Sequence, residues 1–466
     1  MSYNRWSSRA SLGAFVLAAC ADEPTAPRSI PAPVAVADRL GNDVDPAVVR
    51  AVRELAAQRG IVPLTRPAPV RPQLVLLGQA LLFDPILSGN LNIACATCHL
   101  AGFATGDGKA LSVGEGGSGF GPARTHPEGI FIPRNAPPLF NLAAMKQLFW
   151  DGRVEMDAGG QLSTPAGAQL TAEMARVFEF GPISAIGLFP VANRAEMRGQ
   201  LSSGNELAVI PDDSLPAIWS ALMRRLGAIP DYRALFEAAY PGQRFDDMTF
   251  AHASNAIGGF IVDRLSFTNT PWDRFLQGDD GALTARQLDG AQTFLSLKCS
   301  ICHNGATFSD DQFHNVAVAQ IGPGQGDGPS GRDDFGRMRV TSDPADRYRF
   351  RTTPLRNVEL TGPYGHDGAI ASLRGFIEHY SESHTKLLEF DLRTLEPALQ
   401  GTLLPNAADI LAQRDTLLEG VVLTDELVDK LTDYLQALTD DAARNLSALV
   451  PARVPSKLPV APNRRQ

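Results

Sequence analysis

Apolar residues recur at intervals of three and four along several stretches of the chain, the spacing that places them on one face of an α-helix. This pattern predicts helices over Pro230–Ala239, 247–265 and 423–438. The last of these begins with Thr424 and two acidic residues, which favour a helix N-terminus. The alternation typical of a half-buried strand is scarce. The sequence therefore predicts a mainly α fold with long connecting loops.

Two further helical stretches resemble each other. Leu-Gly-Gln-Ala-Leu-Leu-Phe occupies 77–83, and Leu-Asp-Gly-Ala-Gln-Thr-Phe occupies 288–294. Each stretch precedes a pair of cysteines and forms part of a weak internal repeat, which predicts two related halves. Loops rich in glycine and proline follow the cysteine pairs over 114–133 and 321–346, and we expect them to surround the sites that the cysteines form.

The start of the chain has the pattern of a targeting segment. Two arginines and no acidic residue precede an apolar run over 12–19, which is too short to cross a bilayer as a helix. Leu-Ala-Ala-Cys at 17–20 resembles a bacterial lipobox, in which Cys20 would be lipidated, so we interpret 1–19 as a lipoprotein signal peptide. An ordinary signal peptide cut near the same point is the alternative. Either one predicts a periplasmic protein, and lipidation of Cys20 would anchor it to the membrane.

Proline-rich segments with little apolar periodicity stand at both ends of the mature chain. Residues 20–48 predict an extended tether, because such segments stay stiff and cannot build a core. Residues 449–466 predict a flexible tail for the same reason.

Composition narrows the class of protein. The 466 residues are 44% hydrophobic and 20% charged, a mixture that excludes a wholly disordered chain and a protein with many membrane spans. The formal net charge of −9 argues against nucleic acid as a partner, because phosphate binding needs basic patches. At about 100–200 residues per domain, the length predicts two or three domains.

Four of the five cysteines form two copies of one motif, each completed by a histidine: Cys95, Cys98 and His99, then Cys299, Cys302 and His303. Cys-x-x-Cys-His is the attachment signature of a c-type haem. The two thiols add to the two vinyl groups of the haem, and the histidine becomes a ligand of the iron. The sequence therefore predicts two covalently bound haem c groups.

Other uses of paired cysteines fit less well. Zinc sites usually bring two Cys-x-x-Cys pairs within about 12–20 residues, whereas His99 and His303 are 204 residues apart. A thioredoxin-type redox pair does not need the histidine. One cysteine for lipid and four for haem leave none for a disulfide. We therefore predict two cytochrome c-like domains with one haem each, an N-terminal domain over 49–244 and a C-terminal domain over 245–448.

Several other short sequence motifs lie before, between and after the two Cys-x-x-Cys-His motifs. They are Leu-Phe-Asp-Pro (82–85), Phe-Trp-Asp-Gly-Arg (149–153), Ala-Glu-Met (195–197), Phe-Gly-Arg (335–337), Thr-Pro-Leu-Arg-Asn-Val (353–358) and Leu-Thr-Gly-Pro-Tyr-Gly-His-Asp-Gly (360–368). In this order they resemble the bacterial di-haem cytochrome c peroxidase family, which includes the di-haem enzyme that matures methylamine dehydrogenase. The resemblance spans about 78–438, nearly all of the mature globular part.

The resemblance implies a division of labour between the two haems. The N-terminal haem would bind hydrogen peroxide, and the C-terminal haem would accept electrons from a small periplasmic donor, a cytochrome c or a copper protein. Trp150 would lie between them and help electrons cross, although it could also be a core aromatic. Glu196 matches the family's acid–base group, which moves a proton from the near to the leaving oxygen of peroxide. A surface carboxylate at a helix start is the alternative for Glu196.

The chain departs from the family pattern in two places. Many members carry a histidine about sixteen residues after the first haem histidine, which caps the peroxide-binding iron until the enzyme is reduced. Glu115 occupies that place here, so we expect an iron that is open at rest, unless His126 swings in instead. An insertion over about 154–185 also separates Trp150 from Glu196.

The resemblance also implies a calcium ion between the haem domains. Asn135 would provide a side-chain oxygen, and Thr361 and Pro363 would provide backbone carbonyls. Hard oxygen ligands of this kind suit calcium. The alternative for Asn135 is the capping of a turn.

The sixth ligand of the second haem is where members differ. Peroxidases of the family usually have a methionine fourteen residues after the histidine of His-Asp-Gly, and the methylamine dehydrogenase maturation enzyme has a tyrosine. Counting from His366 gives Tyr380. A phenolate would stabilise ferric iron and lower the potential. The alternatives are Met338, the neighbouring His379, or an open iron with Tyr380 packed in the core.

Three functional hypotheses follow. The first is a peroxidase that reduces hydrogen peroxide with electrons from a periplasmic donor. The second is a di-haem enzyme that uses high-valent iron to oxidise a partner protein or an organic substrate. The third is a di-haem electron carrier without enzymatic activity. The resemblance also allows a homodimer, although no single apolar stripe identifies such a face.

Overall fold

The computed structural model describes residues 45–462, all of which belong to one compact unit. The predicted signal peptide and Cys20 lie outside these residues. Within 45–462 no helix combines the length and the apolar character that a membrane span requires.

The described part of the chain is mainly helical, as predicted. Its α-helices are α1 Pro46–Gln58, α2 Pro72–Phe83, α3 Cys95–Cys98, α4 Ala172–Ala175, α5 Leu215–Gly227, α6 Pro230–Ala239, α7 Phe250–Arg264, α8 Pro271–Leu276, α9 Ala285–Ser296, α10 Cys299–Cys302, α11 Met338–Thr341, α12 Leu373–Leu388, α13 Ala407–Ala412 and α14 Asp425–Gln436. The helix predicted over Pro230–Ala239 is confirmed as α6. The helices predicted over 247–265 and 423–438 are present as α7 and α14, shorter by a few residues.

Short strands occupy little of the described chain. β1 Gln147–Leu148, β2 Val154–Met156 and β3 Leu162–Ser163 form an antiparallel sheet in that order. Its register pairs Leu148 with Val154 and Met156 with Leu162. The first part of the insertion at 154–185 is therefore a small hairpin. β4 Phe313–His314 pairs with β5 Phe350–Arg351 in a second antiparallel sheet, with Phe313 opposite Arg351.

The first hydrophobic core is built around α2 and α7. Helix α7 is almost completely buried, α2 buries seven of its twelve residues, and α5 and α6 add Trp219 and Phe236 to the same core. The close crossing of α2 and α7 requires a glycine at position 78, because a Cβ there would lie 1.9 Å from the carbonyl oxygen of Ala256.

The second core repeats this arrangement around α9 and α14. Phe294 of α9 and Tyr434 of α14 pack in it with Trp272 of α8. A Cβ at Gly290 would lie 2.0 Å from the carbonyl oxygen of Lys430, so a glycine again permits the crossing. The two predicted repeat stretches are thus the two helices that enter a close crossing just before a cysteine motif.

The two ends of the described chain pack against the opposite cores. Helix α1, whose Val52 and Ala56 are completely buried, belongs to the second core. It begins at Pro46, so residues 46–48 of the predicted tether are helical, and Asp45 caps them by accepting a hydrogen bond from Ala47 N.

The C-terminal segment differs from the flexible tail predicted over 449–466. Its described residues pack against the first core, where Val454 is buried. Ser456 donates from both its hydroxyl and its backbone N–H to the fully buried Asp84, 372 residues earlier. The local lack of periodicity concealed this contact, because a segment without secondary structure can still be fixed by partners distant in sequence.

Candidate haem sites

One continuous cavity of about 1040 Å³ contains both cysteine motifs. Its volume lies at the upper end of the usual range of about 300–1,000 Å³ for ligand pockets. Every residue predicted to attach, ligate or catalyse lines it: Cys95, Cys98, His99, Asn135, Trp150, Glu196, Cys299, Cys302, His303, Thr361, Pro363 and Tyr380. The loops 114–133 and 321–346 also reach the wall, as expected, through Ile132, Pro133, Gln325 and Arg339.

The first motif forms the single helical turn α3, and His99 ends it. His99 Nδ1 lies 2.8 Å from the carbonyl oxygen of Thr105, which can only accept, so Nδ1 carries the hydrogen and Nε2 keeps its lone pair. Burial lowers the pKa of His99, which favours the neutral imidazole that binds metals. Cys95 and Cys98 form no disulfide, and burial raises the pKa of Cys95 to about 12.

The second motif repeats this arrangement in α10. His303 Nδ1 lies 3.0 Å from the carbonyl oxygen of Phe308, so its Nε2 also keeps a lone pair. Burial lowers the pKa of His303 as well. Cys299 and Cys302 form no disulfide. Both motifs thus present two thiols and an imidazole nitrogen to the same cavity, which is the donor set that a covalent haem requires.

Tyr380 faces His303 across the second site. Its hydroxyl oxygen lies 3.4 Å from His303 Nε2, and burial raises the pKa of the phenol. The two residues predicted as alternatives are placed elsewhere. His379 Nε2 is 2.7 Å from the carbonyl oxygen of Val316, and neither His379 nor Met338 lines the cavity.

Glu196 lies in the π-helical turn Arg194–Arg198, a type of turn that often occurs at functional sites. The side chain of Asn193 caps this turn by accepting hydrogen bonds from the backbone N–H groups of Ala195 and Glu196. The carboxyl group lines the cavity and accepts no hydrogen bond from any residue within 45–462. Burial raises its pKa, and the charges of Arg153 and Arg134 only partly oppose this effect.

Neither Glu115 nor His126 lines the cavity. Glu115 is buried, and its Oε1 accepts hydrogen bonds from the side-chain amides of Asn90 and Asn92. Its backbone N–H donates to the carbonyl oxygen of Ala195, next to Glu196. Glu115 therefore supports the turn that carries Glu196.

Trp150 is buried in the cavity wall and bonded to residues from both halves of the sequence. Its indole N–H donates to the carbonyl oxygen of Asn135 at 2.9 Å, and its own carbonyl accepts from the backbone N–H of Arg351. The next residue, Asp151, forms a buried ion pair with Arg134, which also pairs with Asp334. The hydrogen bond from Arg351 and the bridge that Arg134 forms between Asp151 and Asp334 hold the Trp150 loop against the C-terminal half.

Asn135, Thr361 and Pro363, the residues predicted to hold calcium, all line the cavity. Asn135 donates from Nδ2 to the carbonyl oxygens of Lys109 and Ala110, which leaves its Oδ1 as a free acceptor. No residue within 45–462 donates a hydrogen bond to this Oδ1 or to the carbonyl oxygens of Thr361 and Pro363. Their chemistry is that of a hard-cation site.

One charged cluster at the second site could not be predicted from the sequence. His314 lies between Asp415, 2.6 Å from Nδ1, and Asp310, 3.0 Å from Nε2. Burial acts to lower the pKa of His314, but its hydrogen bonds, chiefly to Asp310, outweigh that effect and raise it to about 11. Asp415 is 101 residues away in sequence, so no local motif could reveal the pair.

Comparison with known proteins shows which family this chain resembles. The family model described as di-haem cytochrome c peroxidase matches residues 72–281. The cytochrome c551 peroxidase of Pseudomonas aeruginosa is 30% identical over 346 residues, which cover 74% of this chain and 80% of that protein. The methylamine utilization protein MauG of Methylorubrum extorquens is 29% identical over 338 residues, or 72% of this chain and 76% of that protein.

Solved structures share the fold. A MauG-like protein associated with microbial copper homeostasis aligns with a TM-score of 0.56 and 25% identity, over 83% of this chain and 95% of that one. The diheme peroxidase BthA of Burkholderia thailandensis aligns with a TM-score of 0.56 and 20% identity, over 86% and 94%. The identity with the Pseudomonas enzyme over most of its length establishes membership. The chain belongs to the di-haem cytochrome c peroxidase family of oxidoreductases.

Proposed function

We propose that this protein reduces hydrogen peroxide to water at the first site with electrons that a periplasmic donor delivers at the second. The observation that carries the proposal is the difference between two otherwise matching sites in one cavity. At the first site, Glu196 lines the cavity near Cys95, and its carboxyl group has no hydrogen-bond partner within 45–462; at the second, a phenol lies 3.4 Å from the histidine.

The side chains present fit two haem c groups. Cys95 and Cys98 would attach one group and Cys299 and Cys302 the other, and His99 and His303 would be their proximal ligands. When bound, these groups supply the one-electron redox chemistry. At both sites the histidine Nε2 keeps its lone pair and the cysteines form no disulfide, as haem attachment requires.

Glu196 acts as the acid–base group at the first site. As a carboxylate it takes the proton from the near oxygen of peroxide, and as a carboxylic acid it returns that proton to the leaving hydroxide. Its lack of a hydrogen-bond partner within 45–462 leaves both oxygens available. Burial raises the pKa of this carboxyl above its ordinary value, the direction that makes it a better proton donor after it has taken the proton.

Tyr380 is the sixth ligand at the second site in this proposal. The support is its position 3.4 Å from His303 Nε2, together with the placement of His379 and Met338 outside the cavity. Trp150, held by Asn135 and Arg351, provides the aromatic contact through which electrons cross. Asn135, Thr361 and Pro363 would hold a calcium ion through the three free oxygens.

A second candidate function rests on Tyr380 alone. A phenolate ligand lowers the potential of the second site, which makes electron uptake from ordinary cytochromes less favourable. The same protein would then withdraw electrons from a partner protein or an organic substrate. MauG, named for methylamine utilization, is among the relatives, which is consistent with this candidate.

Spectroscopy and kinetics on the holoprotein test the proposal. We expect the oxidised protein to show one five-coordinate high-spin and one six-coordinate low-spin haem by electron paramagnetic resonance (EPR). The high-spin signal should respond to peroxide without prior reduction, because neither Glu115 nor His126 reaches the cavity. Two low-spin signals that peroxide leaves unchanged would contradict the proposal. Consumption of peroxide with a reduced cytochrome c or copper protein then separates the peroxidase from the second candidate.

The proposed location is the periplasm, with Cys20 as the lipid anchor. Cys20→Ser should release the protein from membranes without changing its haem spectrum, because one acylated cysteine on a tether affects location and not the sites. A wild-type protein that is already released, with a mature chain that begins elsewhere, would contradict the anchor.

A further inference from the structure

Tyr348, which has no role in the proposed function, is a buried tyrosine in the wall of the cavity. Only 2% of the residue is exposed, and it lines the same cavity as the two motifs. Its φ angle is +61°, in the left-handed region that bulky side chains rarely adopt. Strain of this kind is kept when the surroundings fix a side chain in place, and it is concentrated at functional sites.

The hydroxyl of Tyr348 has one partner that can take a proton and one that can donate. It donates to Oδ2 of Asp333 at 2.9 Å, and this aspartate is 3% exposed. It accepts a hydrogen bond from Nη2 of Arg347 at 2.8 Å. A tyrosine that loses an electron becomes strongly acidic, so it needs a base for its proton and a donor for the remaining oxygen. Asp333 and Arg347 supply both.

The other described tyrosines lack one part of this combination. Tyr364 lines the cavity, but its hydroxyl donates to the carbonyl oxygen of Val358, which cannot take a proton at neutral pH. Tyr232 donates to a carboxylate, Asp84, at 2.7 Å, but it does not line the cavity. Tyr380 lines the cavity, but its hydroxyl lies beside His303, and no carboxylate within 45–462 bonds to it. Tyr240 and Tyr434 do not line the cavity.

The surface is close to Tyr348. Arg347 covers the Tyr348 and Phe335 rings and reaches the exposed Asp409. Phe335 also packs edge-on against Tyr348, with ring centroids 5.6 Å apart. The phenol is therefore buried, but only one layer of side chains separates it from solvent.

We propose that Tyr348 is a redox-active tyrosine that passes oxidising equivalents from the haem cavity to a one-electron donor at this surface. In the forward step Tyr348 would give one electron to a haem group that peroxide has oxidised. That haem group would be reduced by one electron, and Tyr348 would be oxidised by one. The phenolic proton moves at the same time to Asp333 Oδ2. In the return step the surface donor, a phenolic or indolic organic molecule or protein side chain, gives one electron to the tyrosyl radical, and Asp333 returns the proton.

This inference rests on the proposed function, because peroxide supplies the oxidant. The test is freeze-quench EPR of the holoprotein after peroxide, with ring-deuterated tyrosine to identify a tyrosyl signal. We expect a tyrosyl signal in the wild type, and we expect Tyr348→Phe to lose it. Two matched controls, Tyr364→Phe and Tyr232→Phe, should retain it, because each removes a tyrosine with only one of the two features.

A second variant avoids dependence on the folding of Tyr348→Phe. Asp333→Asn keeps the phenol and a hydrogen-bond acceptor but removes the base, so the tyrosyl signal should again be lost. A nitroso spin trap followed by peptide mass spectrometry should place the wild-type adduct on residue 348.

The outcomes separate the two proposals. A haem spectrum that peroxide leaves unchanged overturns the proposed function and this inference together. A haem spectrum that changes without any tyrosyl signal overturns this inference alone. A tyrosyl signal that survives in Tyr348→Phe also overturns it, as does one that survives in Asp333→Asn.

Discussion

The two haem sites share their attachment side and differ on the side that faces the cavity. In both, a histidine donates from Nδ1 to a backbone carbonyl, 2.8 Å away for His99 and 3.0 Å away for His303, which fixes the tautomer. Beside this shared arrangement, Glu196 lines the cavity close enough to Cys95 to interact with it electrostatically, and the phenol of Tyr380 lies 3.4 Å from His303 Nε2. In the proposed function, one scaffold used twice would acquire two chemistries, one from Glu196 in a π-helical turn and one from Tyr380 in helix α12.

The side behind each histidine shows a second difference, which concerns the ends of the chain. Behind the first motif, Leu446 and Leu449 of the C-terminal segment line a small pocket with His99. Behind the second, the N–H of Gly305 donates to the carbonyl oxygen of Arg59, which follows α1. Each site is therefore supported by a terminal segment from the other half of the sequence, and neither half is complete without the other.

The largest expected effect on the difference between the two sites comes from neutralising Glu196. We expect Glu196→Gln to slow peroxide turnover by roughly a hundredfold or more, the usual contribution of an acid–base group, while the signal of the second haem stays unchanged. Stopped-flow kinetics with peroxide measure this effect. Glu173→Gln, an exposed carboxylate on α4, is the matched control and should leave the rate unchanged. A normal rate in Glu196→Gln would remove Glu196 from the mechanism.

Substitution of Tyr380 tests the other site. Tyr380→Phe should abolish the low-spin signal of the second haem and leave the high-spin signal of the first. Tyr380→Met should raise the potential of the second haem by on the order of 100 mV, a fraction of the about 0.8 V that axial ligands span. Potentiometric titration measures the shift, and Tyr364→Phe, whose hydroxyl bonds to Val358, is the control. An unaltered low-spin signal in Tyr380→Phe would mean that Tyr380 is not a ligand.

The raised pKa of Glu196 predicts the pH dependence of the first site. The ionised form takes the proton from peroxide, so the rate should fall about tenfold per pH unit as the pH drops below the pKa of Glu196 in the folded protein. Burial places that pKa above the ordinary 4.5. The acid limb should therefore begin above pH 4.5 and be absent from Glu196→Gln. A limb that persists in this variant would assign it to another group.

The sign of the stability effect follows from the same shift. Because burial raises the pKa of Glu196, the folded state disfavours its ionised form, and this cost appears as the pH rises through the folded pKa. At neutral pH, Glu196→Gln should therefore unfold at the same or higher denaturant concentration than the wild type. A variant that loses both activity and stability would point to a structural role instead.

The local parts of both sites could be predicted from the sequence, because short motifs encode them. Three sequence features identified residues that line the cavity: the Cys-x-x-Cys-His motifs, the motif around Glu196, and the fourteen-residue spacing from His366 to Tyr380. Contacts between distant segments could not be predicted. Asp415 meets His314 across 101 residues, and Ser456 meets Asp84 across 372. The left-handed backbone of Tyr348 leaves no compositional sign, since no glycine marks it.

The smallest predicted effect concerns the C-terminal support of the first site. The hydroxyl of Ser456 lies 2.5 Å from Oδ1 of the fully buried Asp84, which also accepts from Tyr232 and from the backbone N–H of Ser456. Ser456→Ala removes only the hydroxyl contact. The backbone N–H of Ile86 donates to the same carboxylate, so three donors remain. A hydrogen bond to a charged group contributes about 1.5–3 kcal/mol, and the remaining donors reduce the loss, so we expect the free energy of unfolding to fall by about 1–2 kcal/mol. Denaturant unfolding measures this change, and Ser447→Ala, an exposed serine of the same segment, is the control. If the segment supports the first site, Ser456→Ala should also perturb the high-spin signal before the low-spin one as denaturant is added; equal sensitivity of the two signals would show that the segment stabilises the whole fold without favouring either site.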